Sequence, residues 1–235
     1  MTNFANTIQV MSATKNTRTP APPQQGVEER IEKAYMEYVL NEGKRPPSVF
    51  RFCSDISISE DSFYKYYGSF TGLEKKIWKK FIEHTTSRLK ADAGFSSFSA
   101  KEKLLTFYYA LFEDLKSNRS FILKQLEGQR KLDVTPGFLR DFRAEYENFV
   151  EIILQEGKAS GEIAKRPVLE KSYSKFFWLH LGFLLIFWRD DDSAEFEKTD
   201  AAIEKSVNLA FELIGKGAFE TVVDFAKFLY QTKVK

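Results

Sequence analysis

From Val27 onward, apolar residues recur at three- and four-residue intervals, the spacing that lines one face of a helix. Val27, Ile31, Ala34, Tyr35, Tyr38 and Val39 make the first such face, which stops at Asn41-Glu42-Gly43. Pro46-Pro47-Ser48 opens a short helix that offers Val49, Phe52, Cys53 and Ile56 to a core. After a break at Ser57-Ile58-Ser59, a second short helix runs from Glu60 to Tyr67 and ends at Gly68. Thr71-Gly72-Leu73-Glu74 has capping-box spacing and starts a helix to about Lys90, with Leu73, Ile77, Trp78, Phe81 and Ile82 inward.

A second unit begins after Gly94. Ser99-Ala100-Lys101-Glu102 repeats the capping-box spacing ahead of Leu104, Leu105, Tyr108, Leu111, Phe112 and Leu115. A shorter helix is expected around Phe121 to Gln129. A long one starts with Thr135 as cap and Pro136 in the first position, and runs through Phe142, Tyr146, Phe149, Ile153 and Leu154 toward Gly157. Gly161 and Pro167 bracket a loop; helices over 168–189 and 199–214 follow, and Gly215 and Gly217 precede a last one reaching Tyr230. No stretch alternates convincingly like a strand, and nothing repeats at a period of 20–50 residues. The expected fold is all-α.

Residues 1–26 hold three of the seven prolines and almost no apolar periodicity, which reads as a mobile tail. The 235-residue chain is then expected to divide into a small unit over 27–90 and a larger one over 91–235. The net charge of +2 is too small for whole-molecule attraction to nucleic acid or membrane, so any such binding must be local. The greasiest segment, Phe176–Trp188, is 13 residues long and contains His180, whereas a spanning helix needs about 20 apolar residues. Met1–Val10 lacks a basic stretch followed by an apolar run, and the single Cys53 fits a reducing compartment. These features point to a cytoplasmic protein. One cysteine and two histidines, His84 and His180, argue against a zinc site of the usual composition, and no other metal or cofactor is implied.

Two short helices joined by a tight turn and preceded by a longer helix are the signature of a helix-turn-helix DNA reader. The first short helix crosses the phosphate backbone, and the second sets its leading residues against base edges. Ile58 must then point inward, and Ser59 to Ser62 outward. The stretch from Ile31 to Trp78 resembles the N-terminal domain of the tetracycline-repressor (TetR) family of bacterial regulators, most specifically at Ile58-Ser59 and Ser62-Phe63-Tyr64-Lys65-Tyr66-Tyr67-Gly68-Ser69. The resemblance implies that Ser48 contacts phosphate from the start of the second helix and that Tyr64 bonds a phosphate oxygen. It places Lys65 and Tyr66 at the next exposed positions, and Phe63 and Tyr67 in the core. Ser48, Tyr64 and Tyr66 would position the reader, while Ser59, Glu60, Asp61 and Ser62 lie at its base-reading end.

Three departures bear on that assignment. Glu60 and Asp61 stand where the family often has lysine, arginine, glutamine or glycine; two carboxylates suit a helix N-terminus but oppose phosphate, although either can accept from cytosine N4. Phe70 stands where a phosphate-touching lysine is common. Ser57 replaces a turn glycine, at about 1 kcal/mol if the position is left-handed. Residues 27–90 carry 12 basic and 10 acidic side chains, and the run Lys75, Lys76, Lys79, Lys80 reads either as a solvated face or as added attraction for DNA.

In the family, two C-terminal helices dimerise as a four-helix bundle and the domain encloses an effector cavity. The analogous pair here is 168–189 with 199–214. The first is apolar nearly all round: Tyr173, Phe176, Phe177, Leu181, Leu184, Leu185 and Trp188 on one face, with Trp178, Leu179, Phe183, Ile186 and Phe187 on the others. Such a helix must be covered on two sides, either by its own domain wrapping it completely or by a second subunit in a twofold homodimer, and the homodimer is the expectation. Tyr108, Phe112, Phe149, Trp178 and His180 are the candidates for lining a pocket for a small hydrophobic effector, although a lone histidine among apolar residues is more often a hydrogen-bonded core residue. No glycine-rich phosphate loop or Gly-x-Ser-x-Gly turn is present, and no catalytic residue is assigned; Asp190-Asp191-Asp192 reads as a solvated loop rather than a metal site. Two functions remain: a homodimeric, ligand-responsive repressor on a palindromic operator of double-stranded DNA, or a TetR-fold protein with degenerate DNA recognition that serves as a ligand-binding or interaction module.

Overall fold

The computed structural model describes residues 24–127 and 135–215. Within them the chain forms α1 (Gln24–Glu42), α2 (Val49–Asp55), α3 (Glu60–Tyr64), α4 (Phe70–Ala91), α5 (Ala100–Lys116), α6 (Arg119–Leu126), α7 (Arg140–Ser160), α8 (Pro167–Asp190) and α9 (Glu197–Ile214). Three single 3-10 turns lie before α5, α7 and α9, and the one bridge among the described residues, Ile163 to Gly215, is isolated. The fold is all-α, with a helix-turn-helix unit ahead of a larger helical body. Gln24–Gly26, expected in the tail, already belong to α1; the rest of the tail and the last helix toward Tyr230 lie outside the described residues.

Most boundaries follow the apolar periodicity, and the exceptions lie at caps. Ser99 caps α5 with a full capping box, its Oγ accepting from the Glu102 backbone N–H while the Glu102 carboxylate accepts from the Ser99 N–H. The similar spacing at Thr71 does not act this way. Helix α4 starts two residues earlier, where Ser69 Oγ accepts from the Gly72 N–H, because the Glu74 carboxylate is fully buried and engaged elsewhere. Likewise Thr135 does not cap α7; a 3-10 turn over Gly137–Leu139 intervenes, and Thr135 Oγ1 accepts from Arg143 instead. Gly157 does not end α7 but sits inside it, where a Cβ would lie 2.8 Å from Ala100 Cβ and 2.7 Å from Ile163 Cδ1. The helix stops at Ser160, with Gly161 left-handed at φ 82°.

Helix α4 is the spine. Its Trp78 meets Phe138 and Phe142 at 5.7 Å, fastening it to α7, and it also packs on α5. At its N-terminal end, Glu74 accepts from Tyr35 Oη of α1 (2.5 Å), from Arg45 Nε of the α1–α2 loop (2.8 Å) and from the second Arg45 nitrogen in a bidentate pair, while Gln125 Nε2 of α6 approaches at 3.4 Å. Burial and the neighbouring carboxylate push the Tyr35 hydroxyl well above its ordinary range, so it stays a donor.

The larger body closes around a second polar line inside aromatic packing. Tyr108 Oη (α5) and Tyr146 Oη (α7) are 2.7 Å apart, Tyr146 donates to the Phe177 carbonyl of α8, and His180 Nδ1 lies 3.1 Å from Tyr108 Oη. His180 Nε2 meets Ser206 Oγ of α9 at 2.8 Å. Four helices are thereby tied through one satisfied histidine, and burial holds its pKa down to about 4.

Two stability measurements check these networks. Arg45→Met leaves the buried Glu74 carboxylate short of its cation, whereas Glu74→Gln lets the half-exposed Arg45 turn to water. Urea unfolding is expected to show a loss of about 3 kcal/mol for the first and about 1 kcal/mol for the second; a reversed order would overturn the assignment. His180 binds a proton more readily when unfolded, so its contribution is whole above pH ~6.5 and is lost as pH falls toward 4, with a limit of about 3 kcal/mol. His180→Gln is expected to flatten that slope between pH 7 and pH 5; an unchanged slope would show that other groups carry it.

Candidate nucleic-acid interface

The α2–α3 unit is built by three caps. Ser48 Oγ accepts from the Arg51 N–H at 3.1 Å and starts α2, with Pro46 and Pro47 outside the helix rather than in its first turn. Helix α2 ends in a Schellman turn: Ser57 N donates to the Ser54 carbonyl at 3.2 Å and Ile58 N to the Cys53 carbonyl at 3.0 Å. Ser57 is left-handed at φ 53°, the strained conformation anticipated for a serine in place of glycine. Arg30 of α1 donates to the Ile56 carbonyl and satisfies another group at this end. Ser59 then caps α3, its Oγ accepting from the Ser62 N–H at 3.2 Å and lying 2.9 Å from Ser62 Oγ.

Aromatic rings hold α3 in place. Phe63 and Phe52 are buried, with ring centroids 6.3 Å apart, and Tyr67 packs on Phe63 and donates to Glu32 of α1 at 2.6 Å. Phe70 turns inward, its ring stacked on Tyr35 at 5.4 Å and edge-on to Phe52 and Phe63. The residue that replaces a phosphate-binding lysine thus serves the core of the three-helix unit. Regular helix ends at Tyr64 rather than Tyr67, although Tyr67 N still donates to the Phe63 carbonyl.

The candidate contact residues lie outward or half-outward. Asp61, Tyr64 and Lys65 are exposed, as are Ser48 and Ser59, whereas Glu60, Ser62 and Tyr66 are half-buried. Tyr64 keeps 51% of its surface, standing edge-on to Phe63. Ser59, Glu60 and Asp61 border a groove whose other wall is Phe50, a residue the periodicity did not single out. The signal was present: Phe50 and Phe52 are two positions apart on one helix and cannot face the same way.

Electrostatics around the unit differ from what the lysine run suggests. Lys76 pairs with Glu28 at 2.6 Å, Lys80 with Glu28 and Glu32 at 3.2 and 2.7 Å, and Lys79 with Glu83 and Glu145 at 3.0 and 3.2 Å. Three of the four lysines therefore bind α4 to its neighbours. Exposed cations near α2 and α3 without a carboxylate partner among the described residues include Lys44, Arg51 and Lys65; Arg30 also lacks one, but its guanidinium is taken up by the Ile56 carbonyl.

In the larger body, Tyr108, Trp178 and His180 are packed closed, each less than a tenth exposed. Phe112 borders a cleft with Trp188 and Phe196, and Phe149 borders a different one with Phe95 and Lys103, so the five candidate effector residues do not share a single wall. On α8, Phe176, Leu179 and Phe183 are 40–47% exposed, and on α9 Leu209 and Leu213 are 56% and 51% exposed. Phe176 and Trp178 exchange their expected sides, the tryptophan taking the core. Between these helices every aspartate of the 190–192 run has a protein partner. Asp191 is buried and accepts from Ser193 and Thr199, Asp190 pairs with Arg189, and Asp192 pairs with Lys198. Among the described residues no helix is long and apolar enough to cross a membrane, and no cluster of potential ligands could hold a metal.

Solved structures with the same fold include a TetR-family regulator from Syntrophomonas wolfei (TM-score 0.65, 13% identity, 83% of this chain and 99% of that one). A tetR-family regulatory protein from Rhodococcus RHA1 aligns with a TM-score of 0.52 at 19% identity, covering 80% and 97%. A tetR-family regulator from Shewanella sp. PV-4 aligns at 0.53 and 13% identity, covering 79% and 95%. No curated protein sequence matches the chain. The family model described as the tetracyclin repressor-like C-terminal domain matches residues 103–229, more than half of the chain. The chain belongs to the tetracycline-repressor-like (TetR) family of transcriptional regulators.

Proposed function

We propose that this protein is a homodimeric, non-enzymatic repressor that holds a palindromic operator and releases it when a small hydrophobic effector binds. Residues 27–90 read DNA and residues 91–235 bind the effector and dimerise. The observation that carries the reading is α3 itself: capped by Ser59, anchored by Phe63, and free along the side that bears Asp61, Tyr64 and Lys65. In a major groove, Ser48 and Tyr64 bond phosphates, and Ser48 keeps its hydroxyl hydrogen for that purpose because its cap bond uses only a lone pair. The residues over 60–62 meet base edges.

The outward apolar residues of α8 and α9 support the dimer. Phe176, Leu179 and Phe183 recur at three- and four-residue spacing, and Leu209 and Leu213 continue the face on the adjacent helix, a patch suited to an isologous contact. A twofold pair presents two copies of α3 and fits an inverted repeat. The effector acts by binding one arrangement of the readers better than the other. The internal pairing of Lys76, Lys79 and Lys80 favours the second reading, a family member that no longer binds DNA and works as a ligand or interaction module.

Selection of bound fragments from genomic DNA separates the two. A repressor enriches a short inverted repeat. With Lys44, Arg51 and Lys65 as the cations of each subunit, its log affinity falls against log salt with a slope of about −5. No enrichment and a flat dependence at low salt would leave the second reading. On the enriched operator, Tyr64→Phe is expected to weaken all sequences alike, by roughly ten-fold, and Ser62→Ala to change base preference; equal effects from both would refute the roles given to them. Phe183→Glu is expected to convert dimer to monomer in sedimentation at micromolar concentration and to abolish tight operator binding. A dimer that survives this change would place the contact elsewhere.

A further inference from the structure

Phe50 has the greatest fractional exposure of the large hydrophobic side chains among the described residues, 68%, and the fold makes no use of it. It stands alone on α2, away from the α8 and α9 face, and it forms one wall of the groove whose opposite wall is the first turn of α3. Cys53 and Ile58 make that groove apolar at its base, and Ser59, Glu60 and Asp61 give it an acceptor-rich rim.

That combination restricts what the groove can recognise in a duplex. Guanine is usually read through O6 and N7 by arginine or lysine, and adenine bidentately by asparagine or glutamine. The first turn of α3, Glu60-Asp61-Ser62, offers none of the four. What remains on the major-groove edge is the amino group of adenine or cytosine, which a carboxylate accepts, and the 5-methyl group of thymine, which an apolar ring covers. Building on the DNA-reading role proposed above, we infer that Phe50 is a specificity-determining residue whose ring packs on the 5-methyl group of one thymine in each operator half-site. A methyl-bearing edge next to an amino group fits this groove, and a guanine opposite Glu60 and Asp61 sets acceptor against acceptor.

Replacing thymine by deoxyuridine removes the methyl group and leaves every hydrogen-bonding atom. Duplexes of the selected operator, substituted at one symmetric thymine pair at a time, are titrated by fluorescence anisotropy with the wild-type protein, Phe50→Ala and Phe50→Leu. At one position, the wild type is expected to lose about four-fold in affinity per half-site, the worth of one buried methyl group. Phe50→Ala loses a similar factor on the thymine operator and becomes indifferent to uracil there, while Phe50→Leu keeps part of the discrimination. Because Phe50 is exposed, the thermal melting of all three proteins should coincide.

Operator binding that is indifferent to uracil everywhere overturns this inference and leaves the DNA-reading function intact. Sensitivity that persists in Phe50→Ala assigns the methyl contact to another residue and overturns it too. A change of oligomeric state in Phe50→Ala without a change in operator affinity gives the ring to a protein contact instead. Failure to enrich any operator removes the DNA-reading function and this inference with it.

Discussion

The arrangement of the three-helix unit against the rest of the molecule depends on one carboxylate buried from water. Glu74 sits in α4, the helix shared by both parts of the chain, and draws Tyr35, Arg45 and Gln125 to it from three other segments. A buried charge in this position tolerates little displacement, because each lost donor leaves it further from compensation. The three-helix unit is therefore held to α4 by direction as well as by packing, and its contact with α6 follows from the same point.

Charge elsewhere in the unit is spent on the same task. Lys76 and Lys80 reach back to Glu28 and Glu32 on α1, and Glu32 in turn takes the Tyr67 hydroxyl at the end of the α3 turn. Three lysines of a run that reads in sequence as a basic surface are thus neutralised by carboxylates of neighbouring segments while staying partly exposed. Under the proposed DNA-reading function, affinity for a polyanion would rest on fewer cations and more on hydroxyl donors and shape, and selectivity would weigh more at the leading end of α3 than in a strongly basic reader. Phe70 belongs to the same trade: a ring in the core of the unit in place of a cation at its surface.

At the other end, the turn between α8 and α9 is held under strain. Glu195 and Phe196 both have positive φ, at 53° and 63°, which costs about 1 kcal/mol each for residues other than glycine. Phe196 is kept there by the Arg119 guanidinium, 4.8 Å from its ring, and by Trp188, while hydrogen bonds from Ser193 and Thr199 hold the Asp191 carboxyl well below its ordinary range despite burial. These contacts hold the turn that joins the two helices bearing the exposed Phe176, Leu179, Phe183, Leu209 and Leu213.

How much of this was legible beforehand follows from what each feature depends on. Helix number, order and most boundaries lie in local periodicity and caps, as at Ser99 and Glu102, and the strain at Ser57 was implied by the resemblance, since that position carries a turn glycine in the family. The family resemblance lay in a local run as well, Ile58 through Ser69. The destination of a side chain long enough to reach another helix was not legible. Glu74 looked like the third residue of a capping box, Gly157 like a terminator, and the lysines of α4 like a surface, until Arg45, Ala100 with Ile163, and Glu28 with Glu32 were placed beside them. The spacing of Phe50 from Phe52 turns it away from the core, but only the packed neighbours show that nothing else in the described residues covers its ring. The sequence alone determined the helices and their polarity, because those arise within a turn or two of chain. Only the tertiary structure decided which charges are neutralised and which rings stay in water, because those depend on residues far apart in sequence meeting at a few ångströms.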